Sequence, residues 1–184
     1  ETSRGGSPTL DGLDAQGTNV SNLANIPSET MEIEQPIRIE EYGMVPNSEG
    51  AGLHRGGLAM VRKYTYLLDD TVIQLRSDRQ KSSPYGLNGG SSSQSTKISV
   101  SKQGQVKKMP TKFLETVNAG DWLKIEWPGA GGWGDPKKRD PELVLWDVIE
   151  EKVSIERAKD VYAVALMPDN RSIDWRGTEE LRSN

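Results

Sequence analysis

The 184-residue chain is long enough for one domain with a real core, yet only 34% of it is apolar and its mean hydropathy is −0.66. One compact unit with long polar loops is therefore expected rather than two cores. A formal charge of −4 and a pI near 5.2 exclude a general nucleic-acid binder, which needs a basic face, and no apolar run approaches the roughly 18 residues of a membrane span.

Cysteine is absent, which removes disulfides, thiolate nucleophiles and zinc knuckles and is compatible with a cytoplasmic setting. The opening "ETSRGGSPTLDG" has neither an initiator Met nor a signal-peptide pattern, as expected of a fragment or processed subunit of something longer. Residues 1–30 read as a loop-rich lead-in. Within it Asn19, Asn22 and Asn25, together with Glu29 and Glu32, either line a polar site or fix the loop by side-chain turns. A loop of this length needs a function or a covering partner.

Next, Met31, Ile33, Ile37 and Ile39 alternate with charged residues, which predicts a strand interrupted at Pro36, hence an edge or a bulge. After "GMVPNSEGAGLHRGG" (43–57), two runs at 58–68 and 70–78 predict a hairpin about Asp69–Asp70. Residues 84–110 hold a Gly/Ser tract, a short strand at 97–101 and a turn at Gln103–Gly104. "DWLKIEWPG" (121–129) is a further strand, followed by the cluster "GAGGWGDP".

The tail changes period. Asp140 is a candidate N-cap, Pro141 suits the first helical position and Glu142 the positive first turn. Leu145 with Ile149, and Val144 with Val148, are spaced for apolar faces. Ser154 caps a second helix, after which Val161–Leu166 reads as a closing strand. The expected fold is α+β: a mainly β region followed by C-terminal helices that close one end of the sheet, in a single domain over 1–184.

Three further constellations could carry chemistry. Gly131, Gly132 and Gly134, with Trp133 and Asp135, let a backbone approach a ligand closely or let consecutive N–H groups converge on an anion. They could equally make a sharp connection; the spacing matches neither a P-loop nor G-x-G-x-x-G. His54, the single histidine, is a general base or a structural residue, and one His without Cys is too few for a metal site. Arg76, Asp78 and Arg79 place a carboxylate between two guanidiniums, either to bind an anion or to pin a turn. The RGG triplets at Arg4 and Arg55 are isolated in an acidic chain and do not form a nucleic-acid-binding tract.

Taken in order, "NVSNLANIPSETMEIEQPI", "NSEGAGLHRGGLAMVRKY", "LRSDRQKSSPYGLNGG", "PGAGGWGDP" and "RDPELVLWDVIEEKVSIERAKDVYAVAL" resemble the C-terminal part of the hydantoinase B/oxoprolinase family over residues 5–166. Residues 167–184 are an unmatched tail. The resemblance implies an ATP-dependent enzyme that phosphorylates an amide or enolate oxygen, then opens a cyclic amide with water or carboxylates a ketone. It places ATP on a hydantoinase A-type partner subunit, and the divalent metal in an N-terminal portion of the B-type subunit, with none in this chain.

In this reading the chain contributes to a hydantoinase/oxoprolinase-like amidohydrolase acting on a small-molecule substrate. The alternatives are a ketone carboxylase subunit of the acetone or acetophenone type, or a non-catalytic assembly module. Arg76, Asp78, Arg79, Gly131, Gly132, Gly134 and Asp135 would position substrate or phosphate. The loop departs from the family pattern D-S-G-G-A-G-x-x-R-G-G: Asn47 stands for the acid, Glu49 for a glycine, and His54 falls at a variable position. The glycines are expected to shape the fold, with Arg55 as a structural or interface ion.

Overall fold

The computed structural model describes residues 3–17 and 24–183. Helix α1 (Ser28–Glu34) leads into strand β1 (Ile37–Val45), then β2 (Ala59–Tyr66), β3 (Thr71–Arg76), β4 (Lys97–Lys102), β5 (Gln105–Lys108), β6 (Lys112–Val117) and β7 (Trp122–Glu126). Helices α2 (Pro141–Ile149), α3 (Ile155–Asp160) and α4 (Trp175–Ser183) follow. This is the α+β arrangement expected.

Five strands form one antiparallel sheet in the order β1-β2-β7-β4-β5, and β3 with β6 forms a separate antiparallel ribbon. The ribbon turns Ile73, Leu75, Phe113 and Val117 toward the sheet. There they join Ile37, Tyr66, Ile98, Val100, Leu123 and Ile125 in one apolar core. Alternation dictates this choice of faces, because successive side chains on a strand point to opposite sides. A second core gathers Val144, Leu145 and Ala158 of the C-terminal helices, with Val153, Tyr162 and Val164 of the turns beside them, around Ala51 of the glycine loop.

Several local signals act as read. Gln103 and Gly104 both take positive φ (52° and 80°) in the two-residue connection of β4 to β5, which matches the twist of paired strands. Asp140 accepts a hydrogen bond from Glu142 N at 3.0 Å, and Ser154 accepts one from Arg157 N at 3.2 Å, so both helices start where their caps stand.

Other expectations are corrected. Residues 31–34 are helical, with Met31 packed on the core and Ile33 85% exposed, so the apparent alternation across Pro36 does not make a single strand. The strand begins after the proline, is an edge, and bulges between Ile39 and Glu41. Runs 58–68 and 70–78 are both strands but do not pair with each other. Both edges of β2 are taken, by β1 and β7, and the chain crosses to the ribbon through Asp70 at φ 55°. The strand β6 has no counterpart in the sequence reading. Ile149 is exposed while Val144 and Leu145 are buried. The stretch Val161–Leu166 is a turn with one isolated bridge, Leu166 to Ile173, because Ala163 at φ 52° bends it.

In the N-terminal loop, Asn19 and Asn22 lie outside the described residues. Asn25 accepts from Arg62 Nη2 at 2.8 Å and donates to Tyr42 Oη at 2.6 Å, and Glu32 accepts from Ile39 N at 2.7 Å. These bonds pin the loop and α1 onto the sheet. No helix among the described residues is long and apolar enough to cross a membrane.

Candidate functional site

Beside the sheet, four irregular segments cross: residues 3–14, 48–57, 84–94 and 128–135. They are laced together by backbone hydrogen bonds rather than by a strand ladder. Gly6 N donates to Gly131 O at 2.9 Å, Gly50 N to Ala130 O at 2.9 Å, Leu87 N to Gly132 O at 2.9 Å and Gly132 N to Ser91 O at 3.1 Å. His54 and Trp133 exchange bonds at 2.8 and 3.0 Å. Glycine makes this density possible. A Cβ on Gly131 would stand 1.9 Å from Tyr85 O, and one on Gly132 would stand 2.2 Å from Ala51 O.

The same crossing decides how the glycine cluster can act. The amides of Ala130, Gly132, Trp133 and Gly134 all donate to backbone carbonyls. Pro128 has no N–H to give, so no two consecutive amides over 128–134 remain for an anion. Gly134 adopts φ 77°, and Asp135 caps the short 3-10 turn at Pro136–Lys138 by accepting from Lys137 N at 2.9 Å. Nothing in this stretch fits a nucleotide-phosphate cradle.

Outside the wall lies a pocket of about 320 Å³ lined by Arg79, Pro84, Tyr85, Pro128, Gly129 and Gly131 among others. The structure thus brings together Arg79 and Gly131 from the two candidate segments. Arg76 and Asp78 are exposed on the strand-end segment that leads to Arg79, and neither of these, nor Arg79, makes an ion pair with a described residue. The reading of Asp78 as a carboxylate clasped by two guanidiniums is therefore not realised. Arg79 holds φ 56°, and its carbonyl accepts from Thr96 N at 3.0 Å. Tyr85, which sequence reading passed over inside "SSPYG", stands 69% exposed at the pocket.

Behind the crossing sits a buried ionic network. Arg139, its side chain only 1% exposed, donates to Asp11 through both terminal nitrogens (2.6 and 2.7 Å) and to Asp147 at 2.9 Å. Arg55 donates from Nε to Asp147 at 3.0 Å and from both terminal nitrogens to Asp14 (3.0 and 3.3 Å). Lys152 approaches Asp14 at 3.5 Å, and His54 Nδ1 lies 3.7 Å from Asp11. Of the two roles expected of Arg55, structural or interface ion, these bonds within the chain fit the structural one. Its partners, and Arg139 altogether, escape a local reading because they lie up to 128 residues apart.

Glu49 is likewise structural. It is fully buried, accepts from Arg157 Nε at 2.7 Å and from Tyr162 Oη at 2.9 Å, and so ties the glycine loop to α3. Burial first, and then the Glu49 charge, push the Tyr162 hydroxyl above its usual pKa. Among the described residues no three His, Asp or Glu side chains converge as a metal-ligand set.

The network predicts an acid limit. Burial alone would raise the carboxyls of Asp11 and Asp14, but hydrogen bonds and charge outweigh it, from Arg139 and Arg55 on Asp11 and from Arg55 and Lys152 on Asp14. Both lie below the ordinary 3.8. A carboxyl depressed in the folded state contributes stability above its unfolded pKa and loses it as pH falls through the folded one. The urea midpoint should hold from about pH 7 to about pH 5 and drop below about pH 4. Asp11→Asn and Asp14→Asn should lower the neutral value and flatten the acid slope. An unchanged slope in both would disprove the assignment.

Residues 1–136 match the family model described as Hydantoinase B/oxoprolinase. An uncharacterized protein of Methanocaldococcus jannaschii is 40% identical over 162 residues, 86% of this chain and 28% of its own length. The B-type subunit of a putative D-/L-hydantoinase from a Pseudomonas species is 30% identical over 185 residues, 99% of this chain and 31% of its own length. The chain thus spans less than a third of these relatives. A nucleotide-free structure of acetone carboxylase, an enzyme of ATP-dependent acetone carboxylation, superposes with a TM-score of 0.86 over 99% of this chain and 29% of its own. At 20% identity that likeness speaks for the fold alone.

Proposed function

The chain belongs to the hydantoinase B/oxoprolinase family, and from that premise we propose that it forms the substrate-positioning part of a B-type subunit in an ATP-dependent cyclic amidohydrolase. The observation that supports this reading is the pocket where Arg79 and Tyr85 face a wall of glycine and proline. A small ring can lie against such a wall, where side chains are absent or rigid, while a guanidinium and a phenol ring orient it.

In this reading ATP sits on a hydantoinase A-type partner and a divalent cation on the remainder of the B-type polypeptide. The nucleotide, when bound there, supplies the phosphoryl group that makes an amide oxygen a leaving group. What this chain does is hold the ring so that its carbonyl meets that chemistry. Arg79 and Gly131 touch the substrate. Arg76 and Asp78 stand on the approach. Gly132, Gly134 and Asp135 fix the wall's shape.

Reconstitution of the full B-type protein with its A-type partner tests this through ATP turnover stimulated by hydantoin or 5-oxoproline. Arg79→Met should reduce kcat/KM roughly tenfold or more, with unchanged assembly, because one charge-assisted contact to substrate is lost. Turnover driven by a ketone with bicarbonate, and not by cyclic amides, would instead make the complex a carboxylase. Full activity in Arg79→Met would make the chain an assembly module.

A further inference from the structure

We infer that the exposed face of helix α2 is a docking ridge for a partner protein, which lays a basic amphipathic helix along it. Such a ridge needs nothing from the Arg79 pocket and serves whichever reaction the complex performs.

The helix supplies the first observation. A surface helix normally turns one apolar stripe inward and its charged residues outward. In α2 the arrangement is reversed. Asp147 is buried in the ionic network, while Leu143, Trp146 and Ile149, spaced three residues apart, stand 44%, 58% and 47% exposed. Val144 and Leu145 already fill the second core from the other face. A helix that is apolar on both faces is suited to being covered on both.

Each end of the exposed stripe meets a hollow. Leu143 lines one of about 570 Å³ together with Leu10 and Leu13, themselves 69% and 51% exposed. Ile149 lines another of about 460 Å³ with Val148, Val153 and Ile155. Leu143 and Ile149 are about 9 Å apart along the helix axis, so one small molecule fills one hollow and an extended ligand is needed to span both. The three-residue spacing of the stripe suits the side chains of a second helix laid across it. Folded monomers rarely leave a connected apolar surface of this kind bare.

Charge selects the occupant. Glu142 and Glu150 stand at the two ends of the stripe, and Glu151, Glu156 and Asp169 line the hollow at Ile149; all five are exposed. Among the described residues lining that hollow only Arg171 is basic, and its charge already acts on Asp169. Apolar side chains inside an acidic border call for an apolar ligand bordered by Lys or Arg. The same border disfavours two other occupants. An anionic membrane surface would be repelled, and a two-fold contact between copies would set each acidic border against its twin.

The test is a calorimetric titration of the intact chain with three synthetic peptides of about 18 residues, or about five helical turns. One carries a leucine stripe flanked by lysines, the second has glutamates in place of the lysines, and the third scrambles the leucine–lysine sequence so that no stripe remains. The lysine-flanked helix should bind about tenfold or more tighter than either control. Trp146→Ala should weaken it about tenfold with an unchanged melting temperature, because the indole faces solvent in the free chain. Glu156→Gln should weaken it about threefold and flatten its dependence on salt. Leu114→Ala, at a comparably exposed apolar position on β6, should leave it unchanged.

Equal binding of the glutamate-flanked helix, or binding indifferent to Trp146→Ala, would overturn the inference. So would sedimentation showing a dimer of the chain that Trp146→Ala dissociates, since the face would then join two copies. Binding to phosphatidylserine vesicles that exceeds peptide binding and is lost in Trp146→Ala would assign the ridge to a lipid surface instead.

Discussion

Replacing Arg139 with Met should destabilise this protein by about 3–5 kcal/mol, the range found when one partner of a buried ion pair is removed. Arg139 is the hub on which the N-terminal segment, the glycine loop and helix α2 converge. It bonds both oxygens of Asp11, the Oδ2 of Asp147 and the carbonyl of Leu53. Methionine fills much of the volume but leaves two carboxylates facing each other without the cation between them. At roughly 2–4 °C per kcal/mol for a chain of this size, the melting temperature should fall by about 10 °C. Thermal melts and urea titrations at neutral pH measure it. A loss below about 1 kcal/mol would mean that water or a relaxed geometry already screens the network.

Arg139→Lys sharpens the same prediction. Lysine keeps the charge but not the planar fork, and it cannot reach both carboxylates with the same bonds. It should recover less than half of the loss. Because Arg139 Nε has no hydrogen-bond partner among the described residues, the native network is itself imperfectly satisfied. That argues for a role in joining distant segments more than for a large net stabilisation, since a well-packed apolar substitute for a whole ionic cluster can match it.

What the sequence discloses here follows the range of the interactions. The β4–β5 turn rests on two adjacent residues that both take positive φ, and the caps of α2 and α3 reach two or three residues along the chain. Such features are legible in a short window. Strand pairing is not. The segment after Asp70 has every mark of a hairpin arm, but β2 already has a neighbour on each edge, one of them β7, which lies far along the chain.

The false strand over 31–34 has a different origin. Met31 and Ile33 alternate, yet one meets the core and the other water on a single turn of helix. The site divides the same way. The glycines and Arg79 announce themselves by composition, while Tyr85 is an ordinary aromatic until the fold sets it beside Arg79 at a pocket. Asp11, Asp147 and Arg139 are scattered single charges, joined only when residues 8 to 128 apart become neighbours.

The glycines of "LHRGG" bear the second large effect. A Cβ on Gly56 would stand 1.8 Å from Ala130 O and 2.4 Å from Ala130 C, so the obstacle is backbone, with no rotamer to yield. That carbonyl cannot retreat freely, because it accepts from Gly50 N at 2.9 Å while Ala130 N donates to Gly57 O at 2.9 Å. Moving it by more than an ångström, on the order of what a normal contact requires, would break the lacing of the crossing segments. Gly56→Ala should therefore cost about 4 kcal/mol or more, among the largest effects of single substitutions, and appear as lost soluble yield or a collapsed melt.

Gly43 provides the contrast, since among the described residues nothing beyond its chain neighbours lies within 4 Å of a Cβ built there. Gly43→Ala in strand β1 should fall within about 0.5 kcal/mol of neutral, or slightly stabilise through reduced freedom of the unfolded chain. If Gly56→Ala instead melted like the parent while the reconstituted complex lost turnover, the loop would belong to the ligand site and its glycines would serve access rather than architecture.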